Sequence, residues 1–208
     1  MTLPNRSPFF IIQEFISPLM CEDIVSRLNN TYPDTTIEDQ PVKTIKHNKL
    51  TEMRIQPFLE NIIPTLEEYY GFEHRGILPL TYEWIVEGSV PEKAKSDNSV
   101  YIEGKWKLTN DIDFTGILFL SDYNDKSGFD SEFEVFGGKL EFPTHRFGFT
   151  PKRGTLIVFP SGPNFIHATS EIYAGELNQV RIHFVATSRY KYDMKKFPGN
   201  YSVWFNNI

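Results

Sequence analysis

Apolar residues in the first third of the chain recur at helical spacing. Ser17 and Pro18 are a typical helix start, because serine caps free backbone N–H groups and proline is tolerated in the first turn. The segment that follows has one apolar face, with the residues Cys21, Ile24, Val25 and Leu28. The same spacing continues over residues 51–70, where Pro57 and Pro64 are expected to begin, kink or divide the helix. The pattern predicts N-terminal helices.

Beyond Gly76 the helical period disappears, and short apolar runs alternate with turn-forming residues. These runs predict strands over residues 78–86, 114–120, 139–142, 147–149, 155–159, 165–169 and 180–187. Seven strands in about 110 residues are typical of two antiparallel sheets closed as a jelly roll. We therefore expect a mainly β, α+β domain with the architecture of a double-stranded β-helix. Residues 87–107 are polar and contain glycine and proline, so we expect a long, mobile loop there.

The 208 residues predict a single domain, because no repeat or long linker divides them. Within it we expect a helical support over residues 1–76, a jelly-roll core over residues 77–190 and a C-terminal tail over residues 191–208.

Composition narrows the setting in which the domain works. Aromatic residues make up 15% of the chain, an excess that favours sheet. The net charge of −6 argues against a general nucleic-acid partner, since such proteins concentrate Lys and Arg on one face. No apolar stretch has the length of a membrane span, so no membrane partner is expected. A single cysteine, Cys21, and an N terminus without a secretory signal predict the cytoplasm, or the host cytoplasm if the chain is phage-encoded.

Four segments in the second half follow one another in an order found in a known family. They are the apolar run 113–120, a glycine pair within residues 136–142, a Pro-x-x-Gly-x-Leu-x-x-Phe pattern within residues 151–161, and then His167. Together with the Phe-Ile-Ser-Pro start of the first helix, these segments resemble the iron(II)/2-oxoglutarate-dependent dioxygenases, in the prolyl-4-hydroxylase-like branch. The resemblance implies a double-stranded β-helix that binds Fe(II) and uses 2-oxoglutarate as co-substrate.

The resemblance also implies a set of site residues. Non-haem Fe(II) is commonly held by two imidazoles and one carboxylate, which leaves positions open for co-substrate and O₂. His167 stands at the family's second metal-binding histidine. Arg181 fits the basic residue that pairs with the distal carboxylate of 2-oxoglutarate, a role that suits the forked guanidinium. The family pattern there is Gly-x-Arg, whereas this chain reads Gly175-Glu176-Leu177 before Arg181.

The family's first metal motif, His-x-Asp, is the main departure. Its best match is the Lys-Ser-Asp-Asn sequence at residues 95–98, in which Asp97 is the expected carboxylate ligand and Lys95 takes the place of the histidine. An ammonium group does not bind metal, so Lys95 is the weaker candidate. A second alignment uses Asp111 and Asp113, which supply two carboxylates and no histidine, or which cap the turn into the strand.

The favoured interpretation is an oxygenase, an oxidoreductase that hydroxylates a protein or small-molecule substrate while 2-oxoglutarate is converted to succinate. The alternative, which the missing histidine favours, is a catalytically inactive double-stranded β-helix domain that binds a protein or virion component or has a structural role. A third interpretation is a cupin-like site that uses His145 and His183. Ordinary structural roles also stay open, with His167 in the core, Arg181 on an outer strand face and Asp97 as a solvated loop charge.

Overall fold

The computed structural model describes residues 7–29, 42–46, 49–88, 93–125, 133–193 and 195–197. It contains two α-helices, α1 (Pro18–Asn29) and α2 (Lys49–Tyr70). Ser17 caps α1, since its hydroxyl accepts a hydrogen bond from the backbone N–H of Met20 at 3.2 Å. The helix α2 runs through both of its prolines without being divided. It ends at Gly71, whose φ of +75° allows the left-handed turn that closes the helix.

The strands are short, with one exception near the C terminus. Before residue 110 they are β1 (Phe10–Ile12), β2 (Val42–Lys46), β3 (His74–Ile77), β4 (Thr81–Val86), β5 (Ser99–Ile102) and β6 (Lys105–Leu108). After it they are β7 (Phe114–Phe119), β8 (Asp122–Tyr123), β9 (Glu134–Gly137), β10 (Leu140–Phe142), β11 (Phe147–Phe149), β12 (Leu156–Pro160), β13 (Ala168–Thr169) and β14 (Ile172–Ala186). Two 3₁₀ turns, Pro143–His145 and Pro163–Phe165, interrupt the second group.

The described strands form a nine-stranded sheet, a three-stranded sheet that packs against it, and the separate two-stranded β5–β6 hairpin. The larger sheet has the order β1-β12-β7-β14-β4-β2, with β3 and β9 also paired to β14, and the smaller has the order β11-β10-β13. Strand β14 is central to the larger sheet, because its first residues pair with β9 and its later residues pair with β4 on one side and β7 on the other. This arrangement confirms the predicted mainly β fold with N-terminal helices and a jelly-roll core of the double-stranded β-helix type.

Successive side chains of the central strands point to opposite faces of the larger sheet, and each face packs into its own apolar core. One face of the larger sheet packs against the helices through residues that include Leu118, Leu156, Val158, Val180, Ile182 and Phe184. The opposite, inner face packs against the smaller sheet through residues that include Ile117, Phe119, Ile157, Phe159 and Leu177. Thr115 on β7 and both Arg181 and His183 on β14 share the parity of the inner face. The alternation therefore places polar side chains at one end of an otherwise apolar interior.

Three details of the sequence-based prediction are corrected. The segment predicted as a long loop over residues 87–107 contains the β5–β6 hairpin, in which residues 99–102 pair with residues 105–108. Of the predicted strand 165–169, Phe165 ends a 3₁₀ turn, His167 forms an isolated bridge, and only Ala168–Thr169 is strand. The last strand begins at Ile172 rather than at residue 180. Gly175, at a φ of +75°, has no side chain and so allows the β14 backbone to pass close to the backbone of β9 without ending the strand.

The two ends of the described chain belong to the same core. Phe197, which lies in the predicted tail, is fully buried, and its ring packs against that of Tyr70 on α2. Strand β1, in the predicted helical support, pairs with β12 along the edge of the larger sheet. Neither α-helix in the described part of the chain has the length and apolar character needed to cross a membrane.

Candidate functional site

The polar end of the inner face is completed by two segments outside the sheet. Lys95 and His167 form an isolated antiparallel bridge, in which each backbone N–H donates to the carbonyl of the other at 2.9 Å. This pairing brings Asp97, two residues beyond Lys95, beside the imidazole of His167. The loop that was matched to His-x-Asp from the sequence therefore lies next to the predicted metal-binding histidine.

Short polar side chains fix the position of this loop. The Ser96 hydroxyl donates to the backbone carbonyl of Ser161 at 2.7 Å, and the Asn98 amide donates to the carbonyl of Ile112 at 3.0 Å. Both Ser96 and Asn98 are buried. Buried polar groups are stable only when they are hydrogen-bonded, and these bonds attach the loop to the ends of β7 and β12. The Lys-Ser-Asp-Asn sequence is thus a folded structural element.

Asp97 is the centre of the cluster, and its side chain is 8% exposed. Its Oδ2 accepts a hydrogen bond from the Thr115 hydroxyl at 2.6 Å and lies 3.5 Å from Nε2 of His167. Arg181 Nη1 donates to the same carboxylate, at 3.3 Å from Oδ2 and 3.4 Å from Oδ1. The structure therefore brings together Asp97, His167 and Arg181, the three residues that the sequence favoured for metal or co-substrate binding.

The tautomer of His167 follows from its contacts. Nδ1 lies 3.1 Å from the backbone carbonyl of Phe165, which can only accept, so Nδ1 carries the proton in the neutral ring. Nε2 is then left as an acceptor, and Arg181 Nη1 donates to it at 3.1 Å. The His167 side chain is 2% exposed. The ring is held in the orientation that a metal ligand needs, but a guanidinium nitrogen occupies its free lone pair.

Arg181 is also paired with a carboxylate that the sequence reasoning missed. Its Nε donates to Oε1 of Glu83 at 2.9 Å and its Nη2 to Oε2 at 3.2 Å, which is the bidentate fork geometry. Gln179 donates to Glu83 Oε2 at 2.6 Å. The register pairs Gln179 directly with Glu83 across β4 and β14, so Arg181 is the diagonal neighbour. The available signal was one acidic residue within the apolar run of β4.

Burial and charge act in opposite directions on the ionisable groups of the cluster. Burial alone raises the pKa of Asp97, but the Arg181 guanidinium and the neighbouring imidazoles outweigh it, so that this pKa lies well below its usual value. Glu83 behaves in the same way, with burial opposed by Arg181 and Gln179, and its pKa is lowered. For His167, burial lowers the pKa more than Asp97 raises it. At neutral pH the cluster therefore holds two carboxylates, one guanidinium and a neutral His167.

His183 is a further member of the cluster. Its Nε2 is 3.8 Å from Oδ2 of Asp97, which is beyond hydrogen-bonding distance. This nitrogen is buried and has no hydrogen-bond partner among the described residues. Two-residue spacing from Arg181 on β14 was the signal that placed it on this face.

The other candidate residues lie elsewhere or point away. The Lys95 side chain is exposed. Asp111 forms surface ion pairs with Arg75 and Arg189, and Asp113 is buried and accepts the backbone N–H of Ala186 at 2.9 Å. His145 is half-buried and bonds to the carbonyl of Asn164. A cupin-like site shared by His145 and His183 is not formed among the described residues.

The cluster as it is folded does not fit a bound metal ion. Two of the predicted ligands, Asp97 and His167, are present, but one guanidinium nitrogen lies within 3.4 Å of both. Over the described ranges, no three His, Cys, Asp or Glu side chains are arranged to hold a metal. Arg181 also does not stand apart from the predicted ligands, as an anchor for the distal end of a co-substrate would. Leu177, at the arginine of the Gly-x-Arg pattern, is fully buried in the inner core.

No family model matches the sequence, and no curated protein matches it. Solved structures do match. The viral collagen prolyl hydroxylase vCPH from Paramecium bursaria Chlorella virus-1, in its 2-oxoglutarate complex, is 14% identical over 88% of this chain and 97% of its own, with a TM-score of 0.65. A Pseudomonas putida prolyl-4-hydroxylase is 12% identical over 88% of this chain and 94% of its own, with a TM-score of 0.60.

HygX from Streptomyces hygroscopicus, with nickel and 2-oxoglutarate bound, is 12% identical over 87% of this chain and 84% of its own, with a TM-score of 0.55. At such identities the likeness concerns the fold. The chain has the double-stranded β-helix fold of these proteins, which the sequence motifs predicted.

Proposed function

We propose that this chain is a catalytically inactive member of the oxygenase fold, which keeps the double-stranded β-helix as a binding or structural module. The observation that supports this proposal is the Arg181 guanidinium, bonded at once to Asp97, His167 and Glu83. These are the positions at which an oxygenase would need an open metal coordination sphere.

The permanent positive charge of Arg181 disfavours the binding of a metal ion beside it. Arginine keeps its proton at any pH that a protein tolerates, so the guanidinium charge is not removed by titration. A divalent ion beside it would meet like-charge repulsion in a poorly solvated pocket, where such interactions are strong. Moving Arg181 away would also break its bidentate pair with Glu83, whose side chain is only 16% exposed. Metal uptake therefore has to compete with a buried ion pair.

Co-substrate binding meets a second obstacle. The distal carboxylate of 2-oxoglutarate needs a free basic fork, and the fork of Arg181 is filled by Glu83. The 2-oxo acid end and the distal carboxylate lie at opposite ends of the molecule, so one guanidinium that touches both predicted metal ligands does not serve the distal end. Leu177 supplies no charge in its place.

The β5–β6 hairpin supports a binding role. It follows directly from the Asp97 loop, and it exposes large apolar side chains, namely Val100, Tyr101, Ile102, Trp106 and Leu108. Clusters of exposed apolar residues mark interaction surfaces more often than scattered single residues do. A domain that catalyses no reaction could still bind a partner through this apolar surface.

An Fe(II)/2-oxoglutarate-dependent oxygenase acting on a protein or small molecule is the second candidate. It is favoured by His167, whose Nδ1 bond to Phe165 leaves Nε2 in the ligand tautomer facing Asp97. In such an enzyme Asp97 and His167 would hold the iron, which supplies O₂ activation. A titratable Fe(II) site is the property that separates the two candidates.

Anaerobic calorimetric titration of the purified chain with Fe(II) and Mn(II), with and without 2-oxoglutarate, tests the proposal. The viral collagen prolyl hydroxylase is the matched positive control. We expect heat of binding and succinate formation in air from the control and neither from this chain. Stoichiometric binding together with succinate release from this chain would instead establish the oxygenase.

A further inference from the structure

We infer that a groove on the helix side of the larger sheet binds a linear polyamine, a chain of methylene groups that carries several ammonium groups. One wall of the groove is α2, from Glu52 to Ile63, and the other is the chain from His74 to Leu80. Its volume is about 370 Å³, within the range of small-molecule sites. The groove lies outside the inner face that holds the Asp97 cluster, so binding here is independent of whether that cluster holds a metal.

The polar side chains along the α2 wall form a regular row of acceptors. Glu52, Gln56 and Glu60 are four residues apart, so neighbours are separated by about 6 Å along the helix. The Gln56 amide nitrogen donates to Oε1 of Glu60 at 2.7 Å, which leaves the amide carbonyl oxygen to accept a bond from a ligand. Oε1 of Glu52 accepts the backbone N–H of Leu80 at 3.2 Å, and this bond connects the two walls.

The charge of the groove favours a cation. Glu52 and Glu60 contribute two carboxylates, and no lysine or arginine is among the described residues that line the groove. The net charge of −6 on the whole chain adds a long-range attraction for positive ligands. The remaining ionisable residue of the walls is His74, whose Nε2 is buried and has no hydrogen-bond partner within the described chain. A ligand rich in N–H donors suits such walls.

The spacing of the acceptors and the apolar residues between the walls select a linear ligand. Leu59, Ile63 and Leu78 give methylene groups an apolar surface on which to lie. Glu52 and Glu60 are about 12 Å apart along the axis of α2. An extended chain advances about 1.2 Å per bond, so nitrogens nine bonds apart lie about 11 Å from each other. The triamine spermidine has its end nitrogens at that separation and its middle nitrogen near the midpoint, level with Gln56.

Calorimetric titration of the full chain with spermidine at low ionic strength tests the inference. We expect one spermidine per chain. The diamine 1,8-diaminooctane has the same length without the middle nitrogen and should bind more weakly, and 1,4-diaminobutane, which is too short to reach from Glu52 to Glu60, more weakly still. Raising the salt concentration to about 0.15 M should weaken the binding of spermidine, because the carboxylates of the groove are partly exposed and salt screens them.

Substitutions on α2 locate the site. Glu52→Gln and Glu60→Gln should each weaken spermidine binding about threefold to fivefold, and the double variant about tenfold or more. Gln56→Glu should tighten the binding of spermidine by a larger factor than that of 1,8-diaminooctane, because it places a carboxylate level with the middle nitrogen. Glu68→Gln is the matched control, since Glu68 is exposed on the same helix, lies outside the groove and changes the net charge equally. Saturating spermidine should raise the thermal midpoint of the native chain but not that of the double variant.

Three results would overturn the inference. The first is no detectable binding of spermidine at millimolar concentration. The second is equal weakening by Glu68→Gln and Glu60→Gln, because the overall charge of the chain rather than the groove would then attract the polyamine. The third is equal affinity for spermidine and the monoamine 1-aminooctane, which would show that one ammonium group suffices and would indicate a lysine side chain of a protein partner as the ligand. None of these measurements involves Fe(II) or succinate, so they leave the proposed function untouched.

Discussion

Arg181 Nη1 donates a hydrogen bond to Nε2 of His167 at 3.1 Å. This contact joins two residues to which the sequence gave separate tasks, metal ligation and co-substrate anchoring. Because the same nitrogen also reaches Asp97, one side chain ties the loop before β5, the segment before β13 and the strand β14 into a single cluster. The ion-pair network is therefore a structural element of the fold, and its removal should be measurable as a loss of stability.

Arg181→Met should destabilise the fold by about 3 kcal/mol, because it leaves Asp97 and Glu83 as buried carboxylates without a cation. Arg181→Lys keeps the charge but loses the bidentate fork, so a smaller loss is expected. Urea denaturation followed by far-UV circular dichroism measures both. Arg27→Met is the control, since Arg27 is 51% exposed in its pair with Asp23 and should cost about 0.5 kcal/mol or less. Equal losses for Arg181→Met and Arg27→Met would contradict the network's importance.

His167 should make stability depend on pH just below neutrality. Burial holds its pKa below the usual value of a histidine, so the unfolded chain takes up a proton at a higher pH than the folded chain does. Stability is therefore fully present above about pH 6.5 and decreases as the pH falls towards the lowered pKa. The loss approaches about 1 kcal/mol per pH unit over that window.

Denaturation of the native chain and of His167→Gln at several pH values between 7.5 and 5.5 tests this prediction. The variant should show a shallower slope. Burial also lowers the pKa of His145, so His145→Asn measures that separate contribution. The Asp97 and Glu83 carboxylates, whose pKa values are lowered, affect stability only in more acidic solution. Parallel slopes for the native chain and His167→Gln would show that His167 titrates normally.

Much of the fold followed from local signals. Helical spacing and the Ser17-Pro18 start located α1, and short apolar runs between turn-forming residues located β7 and β12 to within a residue or two. The long strand β14 was only half recognised, because Gly175 and the polar residues around it resemble a turn in isolation. The β5–β6 hairpin was missed because its two four-residue strands lie in a segment whose glycine, proline and charged residues resemble a loop.

The sequence identified most residues of the candidate site but not the contacts that they make with one another. Motif order identified Asp97, His167 and Arg181, and the structure brings them together. The pairing of Arg181 with Glu83 depends on the register between β4 and β14, which residues distant in the chain determine jointly. A sequence match assigns each residue a role one at a time. It does not indicate that the arginine would fill the space between the other two.

Gly154 in the Pro-x-x-Gly pattern should not tolerate a side chain. Its φ is +77°, and a Cβ there would lie 2.3 Å from the backbone carbonyl oxygen of Ile16, at the start of α1. Gly154→Ala should therefore cost more than about 1 kcal/mol, through strain and displacement of that backbone. Gly162→Ala is the control, because its Cβ would meet nothing within 4 Å. The two variants should differ clearly in their thermal unfolding midpoints. Similar midpoints would show that the backbone at Ile16 can shift at little cost to accept the new side chain.

Thr115 and Thr155 are a matched pair of fully buried threonines. The Thr115 hydroxyl donates to Asp97 at 2.6 Å and accepts from the Ser161 hydroxyl at 2.7 Å, whereas the Thr155 hydroxyl has no partner among the described residues. Valine has nearly the same shape and stiffness, so replacement changes the hydrogen bonds and little else. Thr115→Val should lower the free energy of unfolding by about 2 kcal/mol, because it leaves the Asp97 carboxylate short of a donor.

Thr155→Val should be neutral or stabilising, since it removes a buried hydroxyl that forms no bond. Chemical denaturation of the two variants under identical conditions gives the difference directly, with the apolar contacts of the Cγ methyl groups common to both. The Thr115 loss should shrink when Asp97→Asn is also present, because the hydroxyl then donates to a neutral amide oxygen. If both threonines respond alike, the Thr115 bond to Asp97 contributes nothing to holding the carboxylate in place.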